Sequence, residues 1–142
     1  MEYYLICPEV PGGFGEKTVF DKSVIPWEVI HFHLSIDGWL GGDLLTTTPL
    51  YYVTEVLMKS LRESALSGIY QMDEIEITKS DTYRGLHPNK EYPRMFRLRF
   101  SGIYGKDDFC WSLPDRLLIS DRALTFLQRF NLSISSIEKF KL

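Results

Sequence analysis

Arg116-Leu-Leu-Ile-Ser-Asp-Arg-Ala-Leu-Thr-Phe-Leu127, led in by Ser112-Leu-Pro-Asp115, is the most legible stretch of the chain. Leu117, Leu118 and Ile119 form a short apolar run of the kind that fills a buried strand. Ser120 and Asp121 follow, and Ala123, Leu124, Leu127 and Phe130 then recur at helical spacing. A serine hydroxyl at such a junction accepts a hydrogen bond from an orphan first-turn amide, and an aspartate beside it complements the helix dipole. Ile119 and Leu124 occupy the positions of a hydrophobic staple. The stretch predicts strand, cap, helix.

The same grammar occurs earlier. Leu50-Tyr-Tyr-Val-Thr-Glu-Val-Leu-Met58 reads as a strand, Thr54 as a cap, and Leu57, Met58, Leu61 and Ala65 as one helix face. At an offset of 66, Val53 matches Ile119, Thr54 matches Ser120 and Glu55 matches Asp121. Residues 50–67 and 116–133 are thus either an internal repeat or two solutions to one capping problem. Around them, residues 3–7, 26–37, 73–79, 94–103, 109–111 and the tail from 134 read as strands by alternation or β-rich composition. Residues 8–17 read as a turn-rich connector, residues 80–93 as a loop with one helical turn near 81–86, and residues 102–108 as a hairpin turn. Gly68 is placed to end the first helix or its turn, and Asn131 reads as a left-handed cap after the second. The expected fold is α+β, one domain over 1–142, with a mainly antiparallel sheet and two short N-capped helices packed on it.

At 142 residues with 44% hydrophobic and 25% charged content, the composition is that of a soluble globular protein. No apolar run approaches the ~20 residues that span a bilayer, and the N-terminus lacks the basic, apolar order of a signal peptide. Cys7 and Cys110 have no CxxC spacing and sit in apolar runs, so both are expected to be buried free thiols of a reducing cytoplasm. Residues 1–71 carry 4 Lys/Arg against 9 Asp/Glu, a net of −5, whereas residues 72–142 carry 12 against 10, a net of +2. An acidic half either steers a basic partner or is simply solvated.

Three groups of residues invite a functional reading. Asp37-Gly-Trp-Leu-Gly-Gly-Asp43 sets one large aromatic among three glycines and two carboxylates. Trp39 then serves either as an interface anchor with Asp37 and Asp43 as an acidic rim, or as a core plug beneath a loop. His31 and His33 share one parity of a strand, a spacing that suits two metal ligands, but no third ligand is evident nearby. Arg97 and Arg99 share a strand face opposite Phe96, Leu98 and Phe100. They suit either phosphate contacts or pairing with Glu74 and Glu76, and the acidic chain with no nucleic-acid motif favours pairing. No GxSxG, HExxH, dinucleotide or kinase pattern occurs, so the chain calls for no cofactor and reads as a binding protein, not an enzyme.

The succession Pro8-Glu-Val-Pro-Gly-Gly-Phe-Gly-Glu16, Asp37-Gly-Trp-Leu-Gly-Gly-Asp-Leu-Leu45, Pro49-Leu-Tyr-Tyr-Val-Thr-Glu55 and Asp107-Asp-Phe…Ile119-Ser-Asp-Arg-Ala-Leu124 resembles a family of small bacterial proteins. These are the immunity proteins of polymorphic toxin and contact-dependent growth inhibition systems. The resemblance implies a cytoplasmic protein that binds one cognate toxin and blocks its active site by occlusion, with no nucleic-acid or membrane partner. It carries over no catalytic residue and does not fix the toxin-binding surface. Asp37, Trp39 and Asp43 are the contacts expected from the sequence. The alternative is a small enzyme or metal protein using His31 and His33.

Overall fold

The computed structural model describes residues 1–112, 115–133 and 135–141. The expectations for Leu113, Pro114, Ile134 and Leu142 lie outside the described residues. In chain order the elements are β1 (Tyr3–Cys7), β2 (Gly12–Phe14), β3 (Val19–Asp21), β4 (Glu28–His31), β5 (His33–Ile36), β6 (Leu44–Thr47), β7 (Leu50–Thr54) and α1 (Glu55–Glu63). There follow β8 (Ile69–Glu74), β9 (Glu76–Lys79), α2 (Asp81–Leu86), β10 (Met95–Phe100), β11 (Phe109–Ser112), β12 (Arg116–Ser120), α3 (Asp121–Leu127) and β13 (Ser136–Lys139). The fold is α+β with mainly antiparallel pairing, as the sequence predicts. The strands divide into four ladders: β11-β12-β1-β13, β6-β7-β10-β8, β2-β5-β9 and β3-β4. Only β5 and β9 pair in parallel among the named strands.

The strand–helix stretches belong to a larger unit that occurs twice. Hairpin β6–β7, helix α1 and strand β8 form one copy; hairpin β11–β12, helix α3 and strand β13 form the other. In each, the strand after the helix returns to the same sheet one place removed from the strand before it. Strand β10 fills the gap in the first sheet and β1 fills it in the second, both antiparallel to their neighbours. The rungs correspond. Leu44–Val53–Phe96–Glu74 crosses the first sheet as Phe109–Ile119–Tyr4–Lys139 crosses the second. Since β1 leads into the first copy and β10 into the second, each half lends its leading strand to the sheet of the other.

The junctions match as well. Glu55 N donates to Arg94 O at 3.0 Å, and Asp121 N to Glu2 O at 2.9 Å. Thr54 N donates to Asp43 O at 3.0 Å, and Ser120 N to Asp108 O at 2.9 Å. Each of these aspartates then reaches into the other half: Asn131 N donates to Asp43 Oδ2 at 2.9 Å, and Ser67 N to Asp108 Oδ2 at 2.8 Å. The correspondence thus extends beyond the two helix caps to the ladders and to reciprocal cross-links. Ile6, Leu44, Val53, Leu57, Phe96, Phe109, Leu117, Ile119 and Leu127, drawn from both halves, fill one core between them.

Several local expectations change. Ser120 Oγ accepts from Ala123 N at 3.0 Å and is a true cap. Thr54 makes no side-chain cap; its hydroxyl donates to Asp43 Oδ1 at 2.7 Å. Gly68 takes φ +110° in the turn before β8, but Asn131 is not left-handed; its side chain instead donates to Gly41 O and accepts from Ser133 N. The stretch 73–79 is not one strand: it changes sheets at buried Ile75. The turn 102–108 is no hairpin, since β10 and β11 lie in different sheets. Part of the turn-rich connector is strand β2, whose Gly12 approaches Ser35 O so closely that a Cβ would lie 2.1 Å from it. The helical turn at 81–86 forms as α2, with Ser80 Oγ accepting from Tyr83 N at 3.2 Å. Cys110 is buried, and burial pushes its thiol up to about 11. Cys7 is exposed, against expectation, because it ends β1 on the outer side of the sheet.

Candidate interaction surface

The two halves of the repeat differ most between their leading strand and their hairpin. In the second half that connection is the short turn 101–108; in the first it is residues 8–43, which hold β2 to β5. The segment includes all three sequence-predicted contact residues and both strand histidines.

The Asp37–Asp43 loop is organised by Glu9, a buried carboxylate that no local pattern marks out. Glu9 accepts from Leu40 N at 2.7 Å and from Gly42 N at 2.9 Å. A Cβ at Gly42 would stand 2.5 Å from Glu9 Oε1, so a larger residue there displaces the carboxylate. Trp39 is half-buried against the core around Leu34, Ile36 and Tyr52, and its Nε1 donates to Gly42 O at 2.8 Å. The Lys90 ammonium donates to Trp39 O. Asp43 is committed to Thr54 and Asn131. Only Asp37 is exposed, and it accepts from Ser80 Oγ at 2.6 Å beside α2. Trp39 and Asp43 therefore have structural duties, and the loop does not present an exposed tryptophan.

The histidines diverge in environment. His31 is exposed, with Nε2 2.9 Å from Glu76 Oε1, while His33 is buried. His33 Nδ1 accepts from Lys17 N at 3.1 Å, so its proton resides on Nε2, which lies 2.7 Å from Thr78 Oγ1. Both ring nitrogens of His33 are thus engaged, leaving no lone pair for a metal. The His31 and Lys17 contacts hold the Glu76 carboxyl below its ordinary value. Among the described residues no three His, Cys, Asp or Glu side chains gather as a metal cluster.

The arginine pair is also committed, but not to Glu74 and Glu76. Arg99 Nε donates to Asp73 Oδ2 at 2.5 Å, and it is Arg94 that pairs with Glu74 at 2.7 Å. Half-buried Arg97 donates Nη1 to Val29 O at 2.7 Å, fastening β4 over the β8–β10 face. Burial, with Arg99 adding to it, pushes the Arg97 guanidinium below its ordinary pKa.

Two features remain unspent. Residues 8–43 hold six carboxylates (Glu9, Glu16, Asp21, Glu28, Asp37, Asp43) against two lysines, a net of −4, whereas the rest of the chain has 14 Lys/Arg against 13 Asp/Glu, a net of +1. Among the described residues none of the six is in an ion pair. Lys17, meanwhile, is drawn to Glu76 outside the segment. The second feature is the β3–β4 arm. Lys22 to Glu28 are exposed without interruption, with Ile25 95% and Trp27 54% accessible. Phe14, Val19, Val24 and Ile30 add further exposed apolar surface. An aromatic chain ties the arm to the interior: Tyr52 to Phe32 at 5.3 Å, Phe32 to Phe14 at 5.6 Å, Phe14 to Phe20 at 5.3 Å and Phe20 to Trp27 at 6.0 Å. Trp27 shares its strand parity with Val29, His31 and His33, and the alternation alone does not single it out. The available signal was the Lys-Ser-Val-Ile-Pro run before it, in which no alternation sets a buried face.

Comparison with protein-family models, with curated proteins and with solved structures finds no match. Among the described residues no helix is long and apolar enough to cross a membrane.

Proposed function

We propose that this chain is a toxin-neutralising immunity protein, which binds a cognate bacterial effector domain in the cytoplasm and occludes its active site. The observation that carries the reading is the uncompensated acidity of residues 8–43. Their six carboxylates are tied to amides and hydroxyls or left to solvent, so their field reaches outward unneutralised. A toxin acting on nucleic acid or a nucleotide has a basic site, and an acidic segment set against it takes the place of the phosphates. Occlusion needs a standard interface of about 1,600 Å² in total. It needs no catalytic group.

The test is to induce the C-terminal domain encoded by the adjacent upstream reading frame in a bacterial host, with and without this chain, and then to co-purify the pair. Growth arrest relieved by the chain, with a stable complex, is the expected outcome. Reversing exposed Glu16, Glu28 and Asp37 together to lysine should weaken the complex by about a hundredfold at low salt and less at high salt. Rescue of growth without a complex would sink the occlusion reading.

A further inference from the structure

We propose that the exposed tip of the β3–β4 arm, Val24–Trp27, is a wedge that enters an apolar cleft on a folded protein whose cleft is rimmed by basic side chains. The proposal deepens the neutralising reading and rests on it.

The fold does not require the arm. The second half of the repeat joins its leading strand to its hairpin through residues 101–108 and completes the same four-stranded sheet without one. Exposing Val24, Ile25 and Trp27 within four residues at the turn of a two-stranded ladder is unfavourable in water, and such a concentration of exposed apolar side chains marks an interaction site. The arm is also held in place before any partner arrives. Arg97 fastens Val29 from below, the aromatic chain from Tyr52 braces Phe20 and Trp27, and the Lys22 ammonium sits 4.8 Å from the Trp27 ring centroid. Little conformational freedom is left to lose on docking. A large rigid aromatic beside a branched aliphatic is the composition of a binding hot spot.

Charge selects the occupant. Asp21 and Glu28 face each other across the foot of the tip, with Lys22 drawn onto Trp27 between them, and the segment that carries the tip has a net charge of −4. A second copy would set −4 against −4, and an anionic membrane would repel the arm in the same way. A protein with a basic rim around an apolar cleft is attracted on both counts.

Affinity for the purified adjacent-frame domain, measured by titration calorimetry, tests the wedge on the full chain. Trp27→Ser should weaken binding about thirtyfold or more and Ile25→Ser about tenfold. Val56→Ser, equally exposed but on α1, should leave it unchanged. Thermal melts of Ile25→Ser and Val56→Ser should overlay the parent, and that of Trp27→Ser should shift only by the loss of its contacts with Phe20 and Lys22. If the complex forms and Trp27→Ser binds as tightly as the parent, the wedge is wrong and the neutralising reading stands. If the parent neither binds nor protects against that domain, both fall together. Two further results overturn the wedge alone: self-association in sedimentation that Trp27→Ser abolishes, and Trp27-dependent binding to phosphatidylglycerol vesicles.

Discussion

The Asp108 carboxylate is fully buried and accepts from Ser120 Oγ at 2.6 Å, Ser67 N at 2.8 Å and the Arg122 guanidinium at 2.5 Å. Burial alone would raise its pKa, but the hydrogen bonds from Arg122, Ser120 and Ser67 outweigh burial and bring it down to about 2 from an ordinary 3.8. The folded pKa lies below the unfolded one, so the unfolded chain takes the proton more readily as the solution is acidified. The resulting stabilisation, on the order of 2 kcal/mol, is present in full above about pH 5 and is lost as pH falls through 4 toward 2. Urea midpoints measured from pH 6 down to pH 2.5 should fall over that window. In Asp108→Ala that component of the fall should vanish, with about 3 kcal/mol of stability already missing at pH 7. An unchanged acid limb in the variant would show that other carboxylates set it. Asp43 holds the corresponding position in the other half with hydroxyl and amide partners and no arginine, so the two sites differ in charge while agreeing in geometry.

At the scale of elements, the strand–cap–helix stretches were legible because their determinants are local: an apolar run, a short polar side chain and a helical period within fifteen residues. The Asp37–Asp43 loop was not, because its organiser, Glu9, lies about thirty residues upstream and reads as an ordinary loop glutamate. The same holds for the two tryptophans. Whether Trp39 or Trp27 is displayed depends on what packs over each, and neither alternation nor glycine spacing records that. Among the contacts that place the arm is one long-range bond, Arg97 Nη1 to Val29 O, beside a cleft of about 290 Å³ lined by Ile30, His31, Asp73 and Arg99 among others. Arg97→Ala removes that bond at a cost of about 1–2 kcal/mol. Hydrogen exchange should then quicken in residues 19–31 while β7, β10 and α1 keep their protection. Exchange rising evenly across the chain would instead make Arg97 a support of the whole sheet.

At the scale of the molecule, the offset of 66 was visible in sequence, yet the exchange of leading strands was not. Strand pairing between residues 4 and 119, or 53 and 96, leaves no mark on either segment alone. The exchange has a thermodynamic consequence. Without β10, the sheet of β6, β7 and β8 loses its central member, leaving the inner edges of β7 and β8 with unpaired backbone groups. Without β1, β12 and β13 suffer the same loss, and the core shared by Ile6, Phe96 and Ile119 opens in either case. Each half alone should therefore fail to fold, although each contains a complete hairpin and helix. Calorimetry of the intact chain should show one transition whose van't Hoff and calorimetric enthalpies agree. Cutting at the turn before Asn89 yields fragments 1–88 and 89–142 that separate β10 from its sheet. Each fragment alone should lack near-ultraviolet circular dichroism, and an equimolar mixture should regain the signal of the parent. A fragment 1–88 that melts cooperatively by itself would mean that the insertion and the first hairpin–helix unit close a core without the borrowed strand, and the two sheets would then be coupled by packing alone.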